Sequence, residues 1–309
     1  MKILIVSGFL GAGKTTFIKE MIEKTKKNLV ILENEYGQNN IDSKELSGNG
    51  PSDLKLLEFM EGCVCCTQKD KFSNTILTIS AGLDPEYLVV EPTGVGKLSN
   101  IIAAIKKVMY EKIILLNPIV VVSPRGFKDN MAEFPEIYTD QLRYAGTVVL
   151  SKIENEDINV INEVADKIHE INPSADIITE HYSRMDNAWW ESLLSCEDSL
   201  DEDIAKTEEA SELMSVDINL ASFDGISELV IFLEDALRGT FGFIARAKGV
   251  IKVGNEWIRF DLADKMYSIV GEQSAKPKTQ SVFFGKDIDK EHLMDRLNSY
   301  KNIRIQRKS

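Results

Sequence analysis

Apolar runs at Ile3–Val6, Leu29–Leu32, Leu54–Phe59, Tyr87–Val90, Ile113–Val122 and Thr147–Leu150 predict buried strands, since a strand covered on both faces is mostly apolar along its length. Helix-period segments near 16–26, 68–80, 97–110, 135–145 and 156–170 lie between them. That alternation predicts the α/β class: a mostly parallel sheet covered by helices. Asn172-Pro173 stops the last of these helices before one more short strand, Asp176–Thr179.

The pattern then changes. Asn187–Leu194, with Trp189 and Trp190, fits a helix packed on the domain. Glu197–Glu212 is dominated by Asp and Glu and reads as a solvated linker. Beyond it come strand-like Met214–Leu220, helical Ile226–Leu237, the strand-like runs Phe243–Val253, Glu256–Leu262, Met266–Val270 and Gln280–Phe284, and helical Lys290–Ser299. This order predicts a smaller α+β domain with an antiparallel sheet. The expected organisation is a nucleotide-binding domain at 1–196, the acidic linker at 197–212 and a carboxy-terminal domain at 213–309.

Charge narrows the partners. A net charge of −13 argues against a general grip on nucleic acid or anionic membrane, which clustered Lys and Arg usually provide. No apolar run approaches the roughly 18 residues of a membrane span, and residues 1–7 form the first core strand, leaving no room for a signal peptide. A cytoplasmic location is expected. Three of the four cysteines crowd into residues 63–66, which suits a metal or redox role better than a disulfide framework.

The most specific chemistry follows the first strand. Gly8-Phe9-Leu10-Gly11-Ala12-Gly13-Lys14-Thr15-Thr16 has the Walker A spacing in a strand–loop–helix context. Glycines let backbone N–H groups turn toward phosphate oxygens, the helix N-terminus adds a positive dipole end, and Lys14 neutralises the β- and γ-phosphates. Gly11, Ala12, Gly13, Lys14, Thr15 and Thr16 are the candidate phosphate ligands, with Thr15 also a Mg²⁺ ligand. Glu91-Pro92-Thr93-Gly94 ends a later core strand, where a carboxylate can orient a Mg²⁺-bound water and a glycine lets backbone N–H approach the γ-phosphate.

Cys63-Val64-Cys65-Cys66 supplies three soft thiols that can converge on Zn²⁺ or a similar transition metal, leaving a fourth position for exchange. Two other uses stand beside it. Cys63 and Cys66 have redox-pair spacing, and three cysteines can pack in a core, although Glu61, Gly62, Thr67 and Gln68 place them in a turn. Glu33–Gln38 with Ile41-Asp42 follows a strand as a nucleotide-responsive loop would, and Glu35 or Asp42 can give an oxygen to either metal. Ser151-Lys152-Ile153-Glu154 stands where guanine-reading loops carry Asn-Lys-X-Asp: the carboxylate accepts two hydrogen bonds from the guanine edge, and the lysine stem packs on the ring. His169, His181 and His292 are scattered among polar neighbours and read as surface residues.

Residues 8–16, 33–42, 63–66 and 91–94 together resemble the CobW-like GTPases, relatives of the UreG and HypB metallochaperones. The resemblance continues through Asp140-Gln141-Leu142, Asn172-Pro173-Ser174-Ala175, Arg246–Gly249 and Val282–Gly285, and so covers essentially the whole chain. It implies a P-loop GTPase domain, a smaller carboxy-terminal domain, and GTP-dependent handling of Zn²⁺ or Co²⁺ for a client protein. Carried over by position, Lys14 and Thr15 serve phosphate and Mg²⁺, Glu91 the Mg²⁺ shell, Cys63, Cys65 and Cys66 the carried metal, and Lys152 with Glu154 the base, Ser151 being a further candidate for nucleotide binding. Ser151 and Glu154 replace the usual Asn and Asp, Ser123 stands where many relatives have Asp, and the His-rich tract of some members is absent.

The expectation is a slow nucleoside triphosphatase, with GTP favoured and ATP open, whose phosphate state gates an exposed thiolate metal site. A nucleotide-dependent homodimer is left open by likeness to other P-loop proteins. The alternative is a nucleotide-dependent activator or scaffold of a corrinoid or other metalloenzyme system, without metal transfer.

Overall fold

The computed structural model describes residues 1–33, 55–58, 69–197, 214–219, 222–272 and 279–297. Glu35, Asp42, Cys63, Cys65 and Cys66 lie outside the described residues. The chain divides into two compact units, Met1–Ala210 and Ser211–Ser309.

The first unit is built on β1 (Lys2–Ser7), β2 (Leu29–Glu33), β3 (Lys55–Glu58), β4 (Tyr87–Glu91), β5 (Ile114–Leu115), β6 (Ile119–Val122), β7 (Thr147–Leu150) and β8 (Asp176–Ile178). Its spatial order is β3-β2-β4-β1-β6-β7-β8, with β5 also paired to β1, and every pairing is parallel. Ile3, Leu4, Ile5 and Val6 are all buried, as a central strand covered on both faces requires. From β1 the chain crosses over helix α1 (Lys14–Thr25) toward β2. From β4 it crosses over α3 (Leu98–Lys106) to β5 and β6 on the other side of β1. The connections leave in opposite directions, so the carboxyl ends of β1 and β4 flank a topological switch point, where open α/β sheets place their ligands.

Among the described residues, the remaining α-helices of this unit are α2 (Lys69–Gly82), α4 (Pro124–Glu133), α5 (Pro135–Arg143), α6 (Ile158–Ile171) and α7 (Asn187–Leu193). One core combines Leu4 and Val6 of β1, Phe17, Ile18 and Met21 of α1, and Trp190 and Leu193 of α7. Two local expectations need correction. The run Ile113–Val122 is not one strand, because Asn117-Pro118 interrupts it: the Asn117 N–H bonds the Cys196 carbonyl at 2.9 Å, and Leu116 bridges to Glu197. Helix α4 has no counterpart in the periodicity reading, although Ser123-Pro124 is a helix-start signal and Pro124 occupies its first turn.

The second unit carries the antiparallel order β13-β12-β11-β14-β9, formed by β9 (Met214–Asn219), β11 (Phe243–Val253), β12 (Glu256–Ala263), β13 (Met266–Gly271) and β14 (Gln280–Lys286). The two-residue β10 (Ser222–Phe223) pairs parallel to β11. Helix α8 (Ile226–Leu237) buries Leu229, Phe232 and Leu233 in a core with Phe241, Phe260 and Phe283. The parallel sheet with its helices and the antiparallel unit are those expected from the hydrophobic pattern. Among the described residues, no helix is long and apolar enough to cross a membrane.

Candidate nucleotide site

The loop between β1 and α1 has the backbone that phosphate wrapping needs. Gly8, Gly11 and Gly13 sit at φ 142°, 76° and 94°, where L side chains are strained. A Cβ at Gly8 would run into the carbonyl of Val121 on β6, so the loop is seated directly against its neighbouring strand. Gly13 caps α1 without a side-chain hydrogen bond, and the first turn of α1 holds no acidic residue. A helix N-terminus with this positive dipole end suits an incoming anion. Lys14 opens the helix and folds back over the loop, its Nζ donating to the carbonyls of Gly8 and Phe9 at 3.1 and 3.4 Å.

Thr15 and Glu91 meet across the switch point, with Thr15 Oγ1 donating to Glu91 Oε1 at 2.8 Å. A hydroxyl and a carboxylate brought to one point beside the lysine form a hard oxygen donor set. Both residues fit a Mg²⁺ ion bound with a triphosphate.

The loop after Glu91 is pressed onto the phosphate loop. A Cβ at Gly94 would lie 2.5 Å from the Leu10 nitrogen and 2.8 Å from the Phe9 carbonyl carbon. Helix α5 holds it there: Gln141 Nε2 donates to the carbonyls of Gly94 and Gly96 at 3.2 and 3.0 Å, and Lys97 Nζ pairs with Glu136 Oε2 at 3.0 Å. Asp140 accepts from the Ser99 N–H at 3.1 Å and from its hydroxyl at 2.6 Å. Burial pushes the Asp140 carboxyl up from its ordinary value, and the Ser99 bonds and the Lys97 charge only partly oppose that. Phe9 packs on Phe134 and Tyr138, with ring centroids 5.3 and 4.9 Å apart. Asn172 donates to the carbonyls of Leu142, Arg143 and Ala145 and so closes the carboxyl end of α5. The Asp-Gln-Leu and Asn-Pro motifs of the sequence therefore serve to hold the loop that follows Glu91.

The third loop follows β7. Ser151 is buried, and its hydroxyl donates to the Ala12 carbonyl at 2.6 Å. Lys152 is exposed at φ 56°. Glu154 is 58% exposed at its side chain, and its Oε1 lies 3.0 Å from His181 Nε2. Glu156, in the same loop, is paired with Arg125 of α4. His181 is not a free surface residue: it opens the short turn Tyr182–Arg184 after β8, and its Nδ1 accepts from the Ser183 N–H. Lys24 of α1 reaches the Ser183 carbonyl at 3.3 Å, and Tyr182 packs edge-on against Phe17. Burial pushes the Tyr182 phenol up to about 12. His169 is exposed, whereas the His292 ring lies edge-on to Phe241.

The structure thus brings Gly11–Thr16, Glu91 and Ser151–Glu154 to the carboxyl end of one sheet. The cysteine and Glu35 part of the expected site lies outside the described residues. Among the described residues, no group of three or more His, Cys, Asp or Glu side chains is placed to hold a metal. Cys196 is exposed and accepts from Asn117 Nδ2 at 3.0 Å. Four supporting residues gained no role in the motif reading, namely Gln141, Asp140, Arg125 and His181. Only the first two lay in a stretch that stood out at all.

Residues 2–179 match the nucleotide-binding domain of CobW/HypB/UreG, and residues 223–301 match the carboxy-terminal domain of the cobalamin synthesis protein cobW. The chain belongs to the CobW/HypB/UreG family. Escherichia coli K12 zinc chaperone YjiA is 26% identical over 318 residues, covering 94% of this chain and 96% of that protein. The zinc-regulated GTPase metalloprotein activator 1 of Schizosaccharomyces pombe is 26% identical over 198 residues, covering 60% of this chain and 47% of that protein. Among solved structures, Zn(II)-bound YjiA GTPase from E. coli aligns over 97% of this chain and 98% of its own, with TM-score 0.48 and 19% identity.

Proposed function

We propose that this family member binds and slowly hydrolyses GTP, and that the phosphate state controls binding and release of a transition metal, Zn²⁺ or Co²⁺, to a client protein in the cytoplasm. The observation that carries the nucleotide half is the convergence of Thr15 on Glu91 beside Lys14. Lys14 would neutralise the phosphates, and Thr15 and Glu91 would hold Mg²⁺, which supplies charge stabilisation to phosphoryl transfer when bound. Gly94, held by Gln141, carries the loop whose N–H groups would meet the γ-phosphate. Lys152 would pack on the base and Glu154 would accept from its edge; this favours guanine, which offers two adjacent donors. The metal half is supported by the relatives named as zinc chaperones and by Cys63-Val64-Cys65-Cys66 in this sequence, with Glu35 as an additional oxygen ligand.

Two measurements test the reading. Phosphate release from GTP, with ATP in parallel, should fall on the order of a hundredfold or more in Lys14→Ala; equal activity in the variant would end the hydrolysis proposal. One equivalent of Zn²⁺ or Co²⁺ per chain should be lost in the Cys65→Ser/Cys66→Ser variant, and its affinity in the wild type should change with a non-hydrolysable GTP analogue. Stoichiometric binding that survives the double substitution would remove the cysteines from the account.

A further inference from the structure

We infer that His181 is a positioning residue for nucleobase selection: it holds the Glu154 carboxylate at the angle that meets a guanine edge. The inference rests on the reading that Glu154 contacts the base. Glu154 carries one more methylene than the aspartate usual at this position, and so has one more torsion to freeze when it binds. An exposed glutamate left to itself would lose much of its discrimination to that freedom. In the structure it is not left to itself, because His181 Nε2 stands 3.0 Å from Oε1.

The imidazole is itself fixed. Its Nδ1 accepts the Ser183 N–H at 3.3 Å and lies 2.7 Å from the Ser183 hydroxyl. A nitrogen that accepts a backbone N–H carries no proton, so the ring proton sits on Nε2 and points at Glu154. The ring also stacks on Tyr182 at 4.5 Å, and Lys24 Nζ holds the Ser183 carbonyl. The Tyr182 ring in turn packs on Phe17 of the phosphate-loop helix. Donation from His181 uses one lone pair of Oε1, leaving the second lone pair and all of Oε2 to accept from a base. Because β7 and β8 are parallel neighbours, the loops that follow them emerge side by side. The selectivity element of this chain is therefore a Glu–His pair shared by two loops, in place of a lone aspartate.

The test is a set of GDP and ADP affinities for the full-length protein, measured by titration with fluorescent analogues. His181→Ala should weaken GDP by about 3- to 10-fold, the range of one lost hydrogen bond, and leave ADP within about twofold. His181→Gln, whose amide N–H can replace Nε2–H, should restore GDP to within about twofold of wild type. Glu154→Ala should lose the GDP preference, and adding His181→Ala to it should cost nothing more, because the histidine acts only through the glutamate. An unchanged GDP-to-ADP ratio in His181→Ala, with Glu154→Ala still altering it, would overturn the positioning role alone. Equal weakening of both nucleotides would reduce His181 to a structural tether and also overturn it. An unchanged ratio in Glu154→Ala would remove the base contact itself, and the role of His181 with it.

Discussion

The hydroxyl of Ser151 donates a 2.6 Å hydrogen bond to the carbonyl of Ala12, so the loop after β7 hangs from the phosphate loop. The Ser151 N–H is tied in the same way to the Val122 carbonyl at 2.9 Å. Ser151 thus contributes to the nucleotide site through the phosphate side, even though its position in the sequence belongs to the base-reading motif. Ser151→Ala should therefore weaken GDP and ADP alike, by about 2- to 10-fold, the worth of one buried hydrogen bond. Titration calorimetry with both nucleotides checks this, and weakening of GDP alone would contradict it.

Gly94 is required by contact and not by backbone angle, since its φ is not among the positive values. The atoms a Cβ would meet, Leu10 N and Phe9 C, are backbone and cannot rotate away. Gly94→Ala should lower stability by about 1–3 kcal/mol, as overpacking does, or push the loop off the phosphate site. A thermal melt read together with phosphate release covers both cases. A variant with wild-type melting and wild-type turnover would show that the two loops do not depend on this contact.

Asp140 gives a pH dependence of definite sign. Its folded-state pKa is raised, first by burial, so between the ordinary aspartate value and the raised one the folded chain holds more protons than the unfolded chain. Stability from this group therefore increases as pH falls through that window and is lost as pH rises through it. Compared with Asp140→Asn, the wild type should gain in melting temperature as pH is lowered from neutral toward the ordinary carboxylate range. A difference between the two proteins that stays flat over that range would refute the assignment.

Trp190 is fully buried between Phe17 and Tyr182, and its indole N–H has no hydrogen-bond partner among the described residues. Deleting the ring should be costly, about 3–5 kcal/mol for Trp190→Ala. Trp190→Phe should lose far less, because it keeps an aromatic ring in the site and gives up only an unsatisfied donor and part of the indole. Urea unfolding of both variants tests the contrast. Equal losses would mean that a ring between Phe17 and Tyr182 contributes nothing to stability.

The first unit was legible because its strands are buried on both faces and its glycines and lysine occur in one uninterrupted stretch. The carboxy-terminal sheet was legible from its alternating strands. What the sequence could not reveal are contacts made by topology. Glu154 and His181 meet because β7 and β8 are neighbours, and Gln141 reaches Gly94 because the fold brings α5 against the loop after β4. Neither pair has a spacing that periodicity can register. The break at Asn117-Pro118 was masked by the apolar residues on both sides of it, although the proline was the warning.

The packing of Gly8 against the Val121 carbonyl sets an order of events during synthesis. The phosphate loop is translated first, but the wall it rests on emerges more than a hundred residues later, with β1 waiting between β4 and β6. At roughly 5–20 residues per second that interval is on the order of ten seconds, during which the nascent chain exposes an apolar strand and has no seat for a nucleotide. A ribosome-bound fragment that stops short of β6 should thus be blind to GTP and a customer for chaperones. One released after β7 and its following loop should be the first able to take the nucleotide up.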